Sequence, residues 1–198
     1  MRHAVAPEED LVSITGYSLT LRWSDFTGHV PAHARADAYT ATRYDIRTNF
    51  TVRVHGGHQS DFRLSTVSIR VTLDRARMWS RPSARTTQLL KHEQGHYDIT
   101  ALLMRDLNTD LTALMQAGHA YPTQHALTQA IANLQQPAVA LVNRLQSTAT
   151  ADGVYDRRTQ HGTVAAAQQR WDAALGSART STSRKLVDCL RNHGIVLH

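Results

Sequence analysis

Two histidines stand four residues apart in the segment LLKHEQGHYD, and a glutamate directly follows the first. Residues four apart project from the same face of an α-helix, so His92 and His96 can present ring nitrogens to one metal ion. Glu93 lies one step around the helix, where its carboxylate can reach a water molecule bound to that ion. Because zinc lowers the pKa of such a water towards neutrality, these residues predict metal-assisted hydrolysis with Glu93 as general base.

The alternative is a chance motif, since this chain contains 12 histidines. Its glutamates are Glu8, Glu9 and Glu93, however, and one of them occupies the catalytic position. We therefore favour a metal site over a coincidental pair of histidines. Gly95, inside the motif, leaves room for another group to pack closely on the helix.

A catalytic zinc site needs a third protein ligand, and the sequence narrows the choice. No glutamate follows Glu93, which excludes the class of enzymes that takes a glutamate from a later helix. Ile99 and Leu102 occupy the glycine and histidine positions of the extended motif His-Glu-x-x-His-x-x-Gly-x-x-His, which excludes that class too. A downstream histidine or aspartate remains, and the candidates are Asp106, His119, His125, Asp152, Asp156, His161 and His193.

The segment YDRRTQHG, residues 155–162, groups several polar side chains just before a predicted helix. Within it His161 is the first choice for the third ligand, and Asp156 is the alternative ligand or a partner that orients a histidine. Tyr155 is a candidate donor to the oxyanion of a tetrahedral intermediate, with a buried structural tyrosine as the alternative. A plain capped turn is the alternative for the whole segment. Asp106 lies too far along the same helix, roughly 15 Å beyond His96 at about 1.5 Å per residue.

Hydrophobic periodicity divides the chain into a strand-rich part and a helical part. From Leu11 to about Trp79 apolar and polar residues alternate, which predicts half-buried strands in ITGYSLTLRW, YDIRTNFTVRV and TVSIRVTLD. From there apolar residues recur every three or four positions. This pattern predicts a helix that is capped by Ser80 or Ser83 and ends near Gly118.

A second helix is predicted from about Thr123 to Ser147 with a kink at Pro137, and a third that ends at Gly176. Strands followed by helices indicate an α+β fold, in which an antiparallel or mixed N-terminal sheet precedes the helical half. The predicted catalytic domain covers residues 1–176, with 1–79 β-rich and 80–176 helical. Residues 177–198 are predicted to form a linker and a short C-terminal helix.

Composition limits the class of protein further. A chain of 198 residues with 41% hydrophobic residues fits one globular domain. The net charge of +6 comes from scattered arginines, so nucleic acid is not an expected partner. Cys189 is the single cysteine, which excludes an intrachain disulfide. No apolar run reaches the roughly 20 residues of a membrane span, and the segment MRHAVAPEEDLVS lacks the apolar middle of a signal peptide.

Three segments of the chain together resemble a bacterial family described as secreted zinc-dependent proteases, domain-of-unknown-function family 922. LRWSDFTGHVP is similar to the family's N-terminal Trp-x-Asp-Phe segment, and LLKHEQGHYDIT to its His-Glu-x-Gly-His helix. YDRRTQHG, with Trp171 downstream, is similar to its Tyr-Asp-x-x-Thr-x-His-Gly motif. The segments span about residues 21–172 in the family's order.

The resemblance implies a zincin-like fold and a site in which His92, Glu93, His96 and residues 155–162 take part. We therefore expect a zinc-dependent metallopeptidase in which His92, His96 and His161 hold Zn²⁺ and a peptide or protein is the substrate. The resemblance also implies a secreted or periplasmic location, and a cytoplasmic one is the alternative.

Two other functions stay open at this point. One is an amidase that acts on cell-wall peptides with the same metal chemistry, and the other is a non-catalytic binding or assembly protein with a zincin fold. For the peptidase we expect an edge strand of the N-terminal sheet, at residues 66–74, to bind the substrate chain by strand addition.

Overall fold

The computed structural model describes residues 12–55, 60–146 and 152–197. The strands are β1 (Val12–Thr15), β2 (Ala38–Tyr39), β3 (Thr42–Val54), β4 (Ser60–Leu73) and β5 (Trp79–Ser80). The α-helices are α1 (Thr87–Gln116), α2 (Gln124–Leu145), α3 (Val154–Thr159), α4 (Ala165–Thr180) and α5 (Leu186–Asn192). These strands all precede the α-helices. The predicted α+β class, with an N-terminal sheet followed by a helical half, is therefore confirmed.

The main sheet is mixed, which is one of the two predicted alternatives. β3 and β4 form a long antiparallel hairpin, and β1 runs parallel to β4 on its other side, which gives the order β1-β4-β3. β2 and β5 form a separate antiparallel pair. The prediction that residues 66–74 form an edge strand is wrong, because Val67 pairs with Val12 of β1 and also with Thr48 of β3. Within the described ranges, the unpaired outer edge on the hairpin side belongs to β3.

The hydrophobic core lies between β4 and the long helix α1. Val67, Ile69 and Val71 of β4 are almost fully buried because alternate residues of a strand share one face. They belong to the same apolar cluster as the inner face of α1, where Leu103 and Leu107 recur one turn apart. α2 and α4 also pack against α1. The helix that carries the histidine motif is thus enclosed by packing.

The start of α1 differs from the prediction. The hydroxyl of Thr86 accepts a hydrogen bond from the amide of Leu89 at 3.0 Å and caps the helix. The prediction of Ser80 or Ser83 as the cap is wrong, because Ser80 ends β5 and Ser83 lies in a short 3₁₀ turn over Pro82–Ala84. At the other end Gly118 has φ +63°, which agrees with the predicted termination.

The ends of the later helices also differ from the predicted ones. Thr123 caps α2, and the helix continues through Pro137 to Leu145, while the predicted end at Ser147 lies outside the described residues. The third predicted helix corresponds to α4. Its predicted end at Gly176 is wrong, because α4 continues to Thr180. The Arg105 guanidinium secures this extra turn by donating to the carbonyl of Ala178 at 2.5 Å.

The predicted short C-terminal helix is present as α5. Leu186, Cys189 and Leu190 of this helix are buried in the same apolar cluster as α1 and α4. The backbone amide of Leu186 donates to the Asp106 carboxylate at 2.7 Å, which ties the start of α5 to α1. Among residues 12–55, 60–146 and 152–197, no helix combines the length and the apolarity needed to cross a membrane.

Candidate metal centre

His92 and His96 lie on successive turns of α1 and face Asp156 of α3. Nε2 of His92 is 3.0 Å from Oδ1 of Asp156, and Nε2 of His96 is 2.9 Å from the same oxygen. The exposed fractions of the three side chains are 1%, 5% and 1%. The fold thus joins the two histidines of the motif to one of the two candidates for the third ligand.

Two glutamines fix the orientation of the imidazole rings. Oε1 of Gln168 lies 3.0 Å from Nδ1 of His92, while its amide nitrogen donates to Asp172 at 2.8 Å. Oε1 of Gln146 lies 2.9 Å from Nδ1 of His96, while its amide nitrogen donates to the backbone carbonyl of His96 at 2.5 Å. If either amide were flipped, its oxygen would face the Asp172 carboxylate or the His96 carbonyl oxygen. The side-chain oxygens of both glutamines are therefore assigned to the side of the imidazole rings. Because each Nδ1 faces an acceptor, it carries the proton.

With Nδ1 protonated, each neutral ring turns the lone pair of Nε2 towards Asp156. Two lone pairs and a carboxylate oxygen then meet at 2.9 to 3.0 Å, and only a positive charge makes this contact favourable. Without a metal, a proton on His96 would supply that charge. Burial lowers the pKa of His96, but the Asp156 carboxylate outweighs this effect and raises the pKa to about 9. A divalent cation would supply the same charge, and imidazole and carboxylate are zinc ligands.

Two buried carboxylate oxygens at the centre have no hydrogen-bond partner among the described residues. They are Oδ2 of Asp156 and Oε2 of Glu93, whose residues are 1% and 2% exposed. An unsatisfied buried carboxylate oxygen is costly, more so than the roughly 1 to 3 kcal/mol of a neutral group. A cation with a bound water molecule would satisfy such oxygens, so the residues at this centre fit a zinc-type site.

Tyr155 packs behind the histidines. Its ring stacks on His92 with centroids 4.7 Å apart and meets the edge of Trp171 at 5.0 Å. Its hydroxyl donates to the backbone carbonyl of His92 at 3.2 Å and accepts from Gln168 at 2.7 Å. A Cβ on Gly95 would lie 2.2 Å from this hydroxyl, which confirms the predicted need for space there. These contacts are those of the structural alternative for Tyr155 rather than of an oxyanion donor.

His161 lies at the outer side of the centre. Its Nδ1 is 3.4 Å from Oδ1 of Asp156, its Nε2 is 3.5 Å from Oδ2 of Asp152, and 39% of its side chain is exposed. The ligand atoms that converge around His92 and His96, all within 4.8 Å of one another, take Asp156 as their third member. Of the two candidates for the third ligand, the geometry therefore favours Asp156.

The turn that carries His161 is fixed against α1. Gln160, His161 and Gly162 have φ of +47°, +53° and +82°, so the chain makes a left-handed turn directly after α3. The carbonyl of Gly162 accepts a hydrogen bond from the Gln88 side chain at 2.8 Å. A Cβ at Gly162 would lie 2.9 Å from Cβ of His92, so both the positive φ and the close approach require glycine.

The other downstream candidates lie in unrelated surroundings. Asp106 accepts from the amide of Leu186 and is paired with Arg105 at 2.6 Å, and His193 contacts the hydroxyl of Ser177 at 3.1 Å. His119 and His125 are exposed near the connection between α1 and α2.

The sequence did not reveal the two glutamines. Gln168 lies one turn of α4 before Trp171, the tryptophan that follows the third segment of the family resemblance. Gln146 follows the last turn of α2 and has no sequence signal of its own, since an amide side chain after a helix is ordinary.

The fold and the site define a mixed α+β protein with a candidate histidine–aspartate metal centre on its longest described helix. Comparisons of this chain with protein-family models, with curated proteins and with solved structures give no match. The likeness to family 922 accordingly rests on the three sequence segments alone.

Proposed function

We propose that this protein is a zinc-dependent metallopeptidase of zincin-like fold, in which His92, His96 and Asp156 hold the metal. One observation carries the proposal: two Nε2 atoms converge on Oδ1 of Asp156 while both Nδ1 atoms are held by glutamine oxygens. A hydrogen bond from the outer ring nitrogen is the usual way in which proteins orient metal-binding histidines. Three protein ligands leave a position for water, which is the pattern of catalytic zinc.

Glu93 is the residue that would handle the proton. When bound, zinc would polarise a carbonyl and lower the pKa of a water molecule, which makes that water easier to deprotonate. Glu93 directly follows a ligand, and its buried Oε2 has no other partner among the described residues. It would accept the proton of the attacking water and deliver it to the leaving nitrogen. Gln146, Gln168 and Tyr155 would hold the imidazole rings in place without touching the substrate.

The burial of the centre favours a second candidate function. His92, Glu93, His96 and Asp156 are all buried, which suits a metal with a structural role in a binding or assembly protein. An amidase on cell-wall peptides uses the same residues as the peptidase and differs only in its substrate. The exported location remains part of the proposal through the family resemblance.

Glu93→Gln separates these functions. The zinc content of the wild type and the variant would be measured by mass spectrometry, together with hydrolysis of a quenched fluorescent peptide library and of cell-wall peptides. The variant is expected to keep its zinc and to lose about 10²- to 10⁴-fold in kcat, the usual contribution of a general base. Asp37→Asn is the matched control, because it removes a carboxylate that is 61% exposed.

The alternatives predict different results. Full hydrolysis by Glu93→Gln would contradict the assigned role of Glu93. Bound zinc without hydrolysis of either substrate class by the wild type would favour the binding protein. Full zinc content in Asp156→Asn would remove Asp156 from the ligand set and return that role to His161.

A further inference from the structure

We infer that Asp172 is a positioning residue of the candidate metal centre and acts on His92 through Gln168. Asp172 fixes the direction of the Gln168 amide. The amide in turn keeps the proton of His92 on Nδ1, so that Nε2 stays free to bind the metal. This inference rests on the proposed function and deepens it, because it assigns a role to a carboxylate outside the ligand set.

The side-chain amide of Gln168 is fully used in hydrogen bonds. Its nitrogen donates to Oδ1 of Asp172 at 2.8 Å and to the hydroxyl of Tyr155 at 2.7 Å. Its Oε1 lies 3.0 Å from Nδ1 of His92. Gln168 is only 5% exposed, so solvent does not replace these partners. The partners of the amide therefore decide which of its two ends faces His92.

Of the three partners, Asp172 alone sets the direction of the amide. A hydroxyl group both donates and accepts, so Tyr155 can contact either end of an amide. A neutral imidazole can carry its proton on either nitrogen, so His92 can also face either end. A carboxylate only accepts, and it therefore holds the NH₂ end. Asp172 lies four residues after Gln168 on α4, a spacing at which two side chains share one face of a helix.

A second carboxylate attracts the His92 proton in the opposite direction. Oδ1 of Asp156 lies 3.0 Å from Nε2 of His92, where it can accept a proton carried by that nitrogen. A proton on Nε2 would occupy the lone pair that a metal ion needs. The Gln168 oxygen offers the proton an acceptor at Nδ1 instead. Asp172 thus counteracts Asp156 and leaves Nε2 open to the metal.

His96 is oriented in a different way and serves as an internal reference. The amide nitrogen of Gln146 donates to the backbone carbonyl of His96 at 2.5 Å and to the hydroxyl of Thr100 at 3.1 Å. A backbone carbonyl only accepts, so α1 itself fixes the direction of this amide. A change at Asp172 should therefore alter His92 and leave His96 as it is.

Nuclear magnetic resonance of the metal-stripped full chain tests the inference, because chemical shifts of the ring nitrogens distinguish protonated from unprotonated ones. In the wild type, Nδ1 of His92 is expected to carry the proton. In Asp172→Leu, which removes the acceptor, the proton is expected to move to Nε2 of His92 while the His96 signals stay the same. Asp172→Ala, with the residue most favourable in a helix, repeats the test with a smaller side chain. A His92 proton that stays on Nδ1 in both variants would overturn the inference.

Two controls separate the direction of the amide from the loss of an ion pair. Lys91 pairs with the other oxygen of Asp172 at 2.7 Å, so Lys91→Met removes the ion pair but keeps the acceptor. Asp110→Leu removes another lysine-paired carboxylate, on a distant turn of α1. Both variants are expected to keep the His92 proton on Nδ1. A shift to Nε2 in Lys91→Met would assign the effect to the ion pair and overturn the role of the amide.

Zinc affinity shows whether the proton position matters for the metal. Loss of the partners that orient ligating histidines costs about 10- to 100-fold in metal affinity. We expect Asp172→Leu to raise the Kd for zinc about tenfold, measured by competition with a chromophoric chelator, and Lys91→Met and Asp110→Leu to leave it unchanged. An unchanged Kd in Asp172→Leu would overturn the inference and leave the proposed function standing. No zinc binding by the wild type would overturn both.

Discussion

Asp156 connects three histidines at the candidate centre. One of its oxygens lies 2.9 to 3.4 Å from nitrogens of three histidines. From the sequence, His161 was the first choice for the third ligand and Asp156 the alternative. What decides between them is the six-residue helix α3, which points Asp156 at α1, and the left-handed turn after it. Eight mostly polar residues do not reveal where such a short helix ends.

The left-handed turn allows a prediction at Gln160. This residue is exposed and ends α3 with φ +47°, a conformation that costs a residue other than glycine about 1 to 2 kcal/mol. We expect Gln160→Gly to raise the free energy of unfolding by about 1 kcal/mol, measured by urea denaturation. Gln129→Gly, at an exposed position inside α2, is the control and should lower it by about 1 kcal/mol. A lower free energy of unfolding for Gln160→Gly would contradict the claim that the positive φ of Gln160 is strained.

At the scale of the elements, helical periodicity predicted α1 well, while strand order could not be predicted. The apolar positions of α1 recur every three or four residues, even though the middle of the helix, residues 95–104, is buried on all sides. In β4 the alternation of Val67, Ile69 and Val71 reports that one face is buried. The alternation does not indicate whether a strand has one neighbour in the sheet or two. The central strand β4 was therefore predicted to be an edge strand. The helix cap at Thr86 was missed because Pro82 and Ser83 imitate a helix start.

Pro137 gives a prediction for α2. It lies inside the helix at an exposed position, where it removes a backbone hydrogen bond and crowds the preceding turn. We expect Pro137→Ala to stabilise the protein by about 1 to 3 kcal/mol, seen as a higher midpoint in urea. Pro122→Ala, just before the Thr123 cap, is the matched control and should change little. An unchanged midpoint for Pro137→Ala would mean that the helix has already adjusted to proline.

For the whole molecule, the candidate ligands connect parts of the chain that are far apart in sequence. Asp156 is 60 residues from His96 and 64 from His92. The only cysteine, Cys189, cannot form an intrachain disulfide, so a bound metal would be the cross-link of this fold. A link across a loop of this length is worth about 4 kcal/mol in the chain-entropy model. The sequence predicted the class of fold. The approach of Asp156 to the histidines of α1, however, depends on tertiary packing that no local pattern encodes.

Zinc should therefore raise the thermal stability of the metal-stripped protein. Free zinc at 100 times its Kd adds about 2.7 kcal/mol, which corresponds to a Tm higher by roughly 5 to 10 °C for a chain of this size. We expect this shift in the wild type and in His119→Ala by differential scanning calorimetry, and little or none in His92→Ala. The same shift in His92→Ala would place the stabilising zinc elsewhere.

The outer edge of β3 has a consequence for how copies of this protein behave towards one another. Phe50, Val52 and Val54 are exposed on a strand of 13 residues whose outer edge pairs with no strand in the described ranges. Such an edge is a template for adding further strands from other molecules. Arg43, Arg47 and Arg53 punctuate the same strand, and a register shift interrupts it between Asn49 and Phe50. Arg43 and Arg47 pair with Asp74 and Asp45, and charged side chains of this kind along an edge strand disfavour its pairing with strands of other molecules.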